Sequence, residues 1–278
     1  EVSVHSLDDL EILHNRQKVS FSSTPQVREN YQEAIIPFWK GKTMRDMIFS
    51  EMSVEWMDAY NAGVFTEFQE QRAPGHTVAG EKIWSIGIRG LKEQIANTRS
   101  EILQSNEHQK EEELEELMAM EIVADAIVLY ANRYSVELER LSRSELNKKR
   151  KLELQQMAAI CRKVPENAPE TLHEALQHYW FIHLGVITEL NPWDSFCPGR
   201  LDQHLLPFWK QEIEKGEQAR FNAKELLEAF WIKFNNHPSP PKMGVTAKES
   251  NTYTDFSLIN LGGVTKDGQD AVNELTFE

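Results

Sequence analysis

Cysteine is scarce in this chain: Cys161 and Cys197 are the only two in 278 residues. That number excludes a disulfide framework and a thiolate zinc cluster, and it makes a reducing cytoplasm the expected compartment. Long apolar runs are missing as well. No stretch reaches the roughly 18 to 20 residues of a membrane-spanning helix, so no membrane partner is expected. The opening residues, EVSVHSLDDLEILHNR, lack the basic start and unbroken apolar centre of a signal peptide. Basic charge is in deficit, with 30 Lys and Arg against 44 Asp and Glu and a formal charge of −14. A surface of that sign offers little to phosphate backbones, which argues against general nucleic-acid binding. There is no P-loop, dinucleotide glycine fingerprint, HExxH or GxSxG. His173, His178 and His183 recur, but their spacing spreads them around a helix by about 140° per step, and no metal site is expected.

What is present reads as helix. Hydrophobic residues make up 40% and charged residues 27%, enough for one large domain or two modest ones. No internal repeat or low-complexity tract appears. Residues 1–24 read as a loosely docked arm. Val27, Tyr31, Ala34, Ile35 and Phe38 then follow helical spacing up to Gly41. Thr43 with Asp46 can cap the next helix, and Ser53 opens another that Gly63 closes. Helix is expected again from Glu81 to Leu103. Two long charged helices should span roughly 111–164, with an apolar face through Leu114, Leu117, Met118, Ile122, Ala126, Leu129 and Tyr130. Thr171 and Glu174 mark the start of a helix through Leu190. Further helices are expected to about Lys215 and from Ala223 to Asn235. Residues 253–264 read as a buried extended segment. Asp267-Gly268 reads as a turn, and a helix should begin at Asp270. The chain lacks an initial Met and stops inside that last element, which reads as the N-terminal part of a longer polypeptide.

Two loops carry chemistry. In RAPGHT, Arg72 is a forked cation suited to a carboxylate, and His76 can exchange a proton near neutral pH. Pro74 and Gly75 shape the turn between them. The other loop, NPWDSFCPGR, follows the apolar run YWFIHLGVITEL and places Asp194, Ser195 and Arg200 beside it. Polar groups there need partners, because unpaired buried polar atoms are costly. Ser195 has no adjacent base to make it a nucleophile, but it can hydrogen-bond a carboxylate. Arg200 and Asp202 read as an internal ion pair or as helix-start contacts. Cys197 reads as an inert buried thiol and Phe256 as core.

Several stretches together resemble the glycyl radical enzymes, the pyruvate formate-lyase-like family. They are APETLHEALQHYWFIHLGV (168–186), preceded by Cys161 and the Val-Pro at 164–165; PGRLDQHLLPFW; and DGQDAVNELTF. The resemblance covers nearly the whole chain from about residue 16. FTEFQEQRAPGHTVAG and TELNPWDSF are similar to the branch that holds 4-hydroxyphenylacetate decarboxylase and isethionate sulfite-lyase.

The resemblance implies an α/β fold, a ten-stranded barrel wrapped by helices, of which this chain would be the N-terminal, predominantly helical part with few strands. It implies an anaerobic lyase whose backbone glycyl radical is installed by a separate S-adenosylmethionine [4Fe-4S] activase. A cysteine thiyl radical then acts on the substrate, assisted by a carboxylate two residues further on. Neither cysteine here fits that pattern, since Lys163 and Gly199 stand two positions after Cys161 and Cys197. The catalytic Cys, Glu and Gly are therefore expected beyond residue 278. No cofactor is expected on these residues, and the chain alone should be inactive. The substrate-binding residues that the resemblance implies are Phe68, Arg72, His76, Ser195 and Phe256. Sulfonate-cleaving relatives would be expected to carry Gln at His76 and Trp at Phe256, so this set favours an arylacetate, cleaved to a cresol and carbon dioxide. Isethionate cleavage or another glycyl radical lyase or dehydratase is the alternative. An acidic helical interaction protein is the non-enzyme reading. Expected partners are the substrate, the activase and further copies of the large subunit. An iron–sulfur small subunit is left open.

Overall fold

Among the described residues, glycine or proline follows several helix ends, at Gly41, Gly63, Gly87, Pro165 and Gly216. A computed structural model describes residue 4 and residues 6–15, 21–64, 81–104, 110–189, 198–234 and 259–278. The chain divides into two compact units. One comprises Glu1–His76, Leu184–Cys197 and Trp231–Leu258, and the other Thr77–His183, Pro198–Phe230 and Ile259–Glu278. Among the described residues almost all regular structure is helical, and strand pairing is limited to two isolated bridges, Arg200 with Asn260 and Val264 with Asp270. This agrees with the expected helical character and few strands.

In the first unit, α1 (Leu7–Asn15) lies within the stretch read as an arm. Ser6 and Asp9 cap it reciprocally, at 3.2 and 2.9 Å. Leu10 and Leu13 are buried with Val4, and Ile12, Phe21 and Tyr31 pack around them. α2 (Pro25–Asn30) begins with proline after the capping Thr24, where a missing N–H costs nothing. The helix then widens into a π turn, Tyr31–Ile35, before α3 (Ile36–Trp39). Pro37 explains the widening: it has no N–H for the carbonyl four residues back. Gly41, at φ +75°, ends the run as expected. The Thr43–Asp46 capping box starts α4 (Met44–Glu51), and Ser53 caps α5 (Val54–Asn61). Trp56 stacks on Tyr60 at 5.5 Å, with Phe49 edge-on to Tyr60 at 5.1 Å.

In the second unit the expected helix from Glu81 is broken. α6 (Lys82–Ser85) and α7 (Ile88–Gln104) are separated at Ile86-Gly87. The carbonyls of Pro165 and Glu166 take the N–H groups of Ile88 and Arg89, both at 2.9 Å, and so cap α7 from another part of the chain. α8 (Lys110–Ser144) packs against α7, with Arg99 on Glu121 and Lys92 on Asp125, both at 2.6 Å. It also packs against α9 (Lys148–Lys163), where buried Ser135 donates to the Ala158 carbonyl at 2.8 Å.

The face of α8 differs in part from expectation, with Leu117 the one expected residue that is buried. Leu117, Ala124, Ala131, Ser135 and Ser142 are its buried residues, whereas Met118, Ile122 and Leu129 are 54%, 63% and 64% exposed. Small side chains allow the helix axes to approach, so the contact stripe follows Ala and Ser rather than the larger apolar residues. Cys161 lies in this contact, buried with Ala131 and Phe181.

α10 (Leu172–Glu189) starts as expected, with the Glu174 N–H on the Thr171 hydroxyl at 3.3 Å. The Glu174 carboxylate reaches one residue further back than a regular capping box, to the Glu170 N–H at 2.8 Å, and also holds Lys163. α11 (Leu201–Ile213) carries Pro207 within it. α12 runs Glu217–Phe234 and so starts earlier than expected, directly after Gly216 at φ +113°. Its first turns are polar and gave no apolar period. The expected helix from Asp270 is instead an extended stretch followed by one 3-10 turn, Glu274–Phe277, capped by Asn273. Asp270 pairs across to Val264 and caps Val272 N–H at 2.9 Å, which holds it out of a helix. The Asp267-Gly268 turn forms, with Gly268 at φ +76°.

Candidate functional site

Phe68, Arg72, His76, Ser195 and Phe256 all lie outside the described residues, as do Asp194 and Cys197. The stretches that carry them are 65–80, 190–197 and 235–258. Their C-terminal ends enter the described structure at residues 81, 198 and 259. Those three entry points lie in the second unit, and they are tied to one another.

The strongest tie is Asp202, near the start of α11 and 1% exposed. Its Oδ2 accepts the Gly262 N–H at 2.7 Å and the Thr276 hydroxyl at 2.5 Å, and its Oδ1 accepts the Gln203 N–H at 2.9 Å. Gln203 donates to the Gly262 carbonyl at 2.9 Å, and Arg200 to the Val264 carbonyl at 2.8 Å. Backbone bonds complete the joint: Asn260 N–H to Gly199 at 3.1 Å and Leu201 N–H to Asn260 at 3.2 Å. Of the two readings for Arg200 and Asp202, helix-start contacts is the one observed. Gly262 sits at φ +63°, and a Cβ there would meet the Val272 side chain at 3.0 Å. The DQ of PGRLDQ therefore needs glycine opposite it.

Residue 81 joins the same frame. Glu81 pairs with Lys266 at 2.8 Å, and this holds its carboxyl below the usual range. Trp84 stacks on His204 at 5.8 Å and on Tyr179 at 5.6 Å. Burial lowers the His204 pKa, against the opposing field of Glu81. Sequence reasoning singled out none of Trp84, Gln203, His204, Lys266 or Thr276. The available signal was a carboxylate within an otherwise apolar helix start, LDQHLLPFW, which demands donors from elsewhere.

Among the described residues no group of three His, Cys, Asp or Glu side chains could hold a metal ion. His178 and His183 are buried in α10, and Tyr179 bonds His183 Nδ1 at 3.1 Å. Cys161, in its apolar packing, is placed as a structural thiol. No described helix is long and apolar enough to cross a membrane.

The family model described as pyruvate formate lyase-like matches residues 1–278. The chain belongs to that family. Trans-4-hydroxy-L-proline dehydratase of Clostridioides difficile is 48% identical over 277 residues, covering 100% of this chain and 35% of that relative. Isethionate sulfite-lyase of Nitratidesulfovibrio vulgaris is 29% identical over 279 residues, covering 96% of this chain and 34% of the relative. The crystal structure of the C. difficile hydroxyproline dehydratase with trans-4-hydroxy-L-proline bound superposes with a TM-score of 0.83 at 47% identity, over 98% of this chain and 35% of that one. The chain thus spans about a third of the length of the relatives it matches. The glycyl radical subunit of C. difficile 4-hydroxyphenylacetate decarboxylase is similar over a shorter stretch, 28% identical across 55% of this chain and 17% of that relative. The glycyl radical lyase and dehydratase grouping expected from the sequence therefore stands. Within it, the dehydratase alternative has more support than the decarboxylase.

Proposed function

We propose that this chain belongs to a glycyl radical dehydratase that removes water from a small hydroxylated carboxylic acid, with trans-4-hydroxyproline as the first substrate to test. The observation that carries this reading is the 48% identity to the C. difficile hydroxyproline dehydratase, which runs through the whole chain. The residue chemistry agrees with it. Arg72 offers a carboxylate two parallel donors, and Ser195 adds a hydroxyl. His76 orients the bound acid, and Phe68 and Phe256 supply apolar surface for a ring. In this family the glycyl radical, installed by the S-adenosylmethionine activase, supplies the radical that opens the reaction. The 278 residues contribute binding and framing, and the activase is the partner the reading requires.

The test offers the full-length, anaerobically activated protein trans-4-hydroxyproline, isethionate and 4-hydroxyphenylacetate in parallel. Loss of water from the first is expected. Faster release of sulfite or p-cresol from the others would overturn the assignment. The 278-residue chain treated the same way should give neither radical signal nor product. His76→Gln in the full-length enzyme should lower kcat/KM by about a hundredfold with little change in Tm. Unchanged kinetics would remove His76 from the site.

A further inference from the structure

The face of α8 that turns away from its buried stripe carries an ordered pattern. At about 100° per residue, Met118, Ile122, Leu129 and Val136 fall within about 40° of one another, roughly opposite the buried Ala124 and Ala131. All four are more than half exposed. Single exposed apolar residues are ordinary, but a contiguous row of them marks a contact surface. Charge brackets the row. Glu111, Glu112, Glu113, Glu115 and Glu116 precede it. Arg140, Arg143, Lys148, Lys149, Arg150 and Lys151 follow it, at the end of α8 and the start of α9. That second cluster is a basic end on a chain whose formal charge is −14.

Such a face complements itself when reversed. Turn a second α8 end for end about a two-fold axis midway between Ala126 and Leu129. Ala126 then faces the second copy's Leu129, and Met118 lies beside its Val136. Glu115 comes opposite Arg140, and Glu112 opposite Arg143. A two-fold contact uses the same patch on both copies, so each pairing occurs twice. The charged ends fix direction and register, and the apolar row supplies the burial. Glu137 holds Arg140 within its own helix at 2.6 Å, but that pair is exposed and contributes little. The chain spans about a third of its relatives' length, so a further segment of the full-length protein is the competing occupant. That segment would have to match both charged ends; a reversed α8 does so by its own sequence.

We propose that this face is a contact between two copies of the protein, with their α8 helices antiparallel across that axis. Every residue it uses lies on α8 or the start of α9, within the second unit. It is independent of the substrate. Ile122→Asp with Leu129→Asp places carboxylates in the apolar row of both copies. Arg140→Glu with Arg143→Glu sets like charges opposite Glu112 and Glu115. Glu112→Arg with Glu115→Arg does the same in the other sense. Combining the four charge substitutions exchanges the two ends and restores opposite charges. All six side chains are exposed, a setting in which folding tolerates substitution.

The experiment uses full-length protein without activation and reads its mass by sedimentation over a dilution series. Wild type should self-associate. Ile122→Asp with Leu129→Asp should raise the dissociation constant about a hundredfold or more, because each lost contact counts twice across the axis. Each charge reversal should raise it about tenfold at low salt, and the combination should return it to within about threefold of wild type. A wild type that stays monomeric overturns the proposal. So does association that the Ile122 and Leu129 substitutions leave unchanged, which places the contact elsewhere. Charge reversals without effect, or without recovery in the combination, also overturn it. If a further segment of the same chain covers α8, the Ile122 and Leu129 substitutions lower Tm and leave the mass unaltered, and the proposal fails. Should that variant not fold, the charge series decides alone.

Discussion

Gly87→Ala should destabilise the second unit by about 3 to 5 kcal/mol, far more than an ordinary surface glycine substitution. A Cβ at Gly87 would lie 2.4 Å from the Asn167 carbonyl carbon and 2.4 Å from the Glu166 carbonyl oxygen, with Asn167 Cα at 2.6 Å. All three are backbone atoms, so no side chain can swing aside. The opposing backbone is itself anchored. Asn167 N–H and its side-chain amide both donate to the Lys163 carbonyl at 2.9 Å. Opening the gap would pull Pro165 and Glu166 off the first N–H groups of α7 and leave those donors without partners, at about 1 to 3 kcal/mol each. Gly90→Ala is the control. A Cβ there meets only the Ile86 side chain, at 3.2 Å, and alanine favours the helix by up to about 1 kcal/mol. Urea unfolding of both variants should separate them clearly. Equal midpoints would show that the 165–167 backbone yields easily and that the close approach is not structural.

This close approach also shows where sequence reading stopped. Helix from Glu81 to Leu103 is the correct period, but nothing local to IWSIGIRG announces that residues 165–167 will cap it. The information lies in a contact between distant parts of the chain. The same holds for α8. The large apolar residues Met118, Ile122 and Leu129 suggested one face; of the expected residues Leu117 is buried, and the rest of the buried stripe runs through Ala124, Ala131 and Ser135 instead. Propensity and size alone do not reveal which side a long amphipathic helix offers to two neighbours.

Local chemistry was far more legible. Thr43 with Asp46, Ser53, Thr171, and the glycines at 41, 63 and 268 set their caps and turns within a few residues of themselves, so their meaning does not depend on tertiary context. Long motifs such as PGRLDQHLLPFW fixed the family. They did not fix the reaction, because substituents on a substrate are read by a few side chains on loops. His76 and Phe256 point toward an aromatic acid, yet the proposed set of Arg72, Ser195, Phe68 and Phe256 suits a saturated ring acid equally well. The joint at Asp202 was half visible. A carboxylate at a helix start was recognised, and its partners at 262 and 276 were not, since neither residue type nor spacing points to them.

His178 should make the chain less stable in mild acid, by about 3 kcal/mol between pH 6.5 and pH 4. The side chain is 2% exposed on α10, and its Nδ1 has no partner among the described residues. Burial pushes its pKa down to about 4, and the hydrogen bond with the Asn167 backbone opposes this only in part. The unfolded chain takes up a proton near pH 6.5, and the folded chain resists it until about pH 4. Stability contributed by the neutral ring is therefore complete above pH 6.5 and is lost as pH falls through that interval. His173 and His204 are also lowered, chiefly by burial, and add to the loss in the same direction. The carboxylates of Glu11, Glu81 and Glu278 are lowered as well, by Arg28, Lys266 and Lys224 in turn, and their contributions are lost as pH falls from the ordinary carboxylate value through the lowered one. Unfolding measured between pH 4.5 and 6.5 thus reports mainly on histidines. His178→Leu should flatten the slope there by up to one proton. It should also weaken the chain at pH 7, because the Asn167 backbone beside Gly87 loses its partner. An unaltered slope would place the differential proton uptake on the other two rings and show that His178 titrates alike in the folded and unfolded chain.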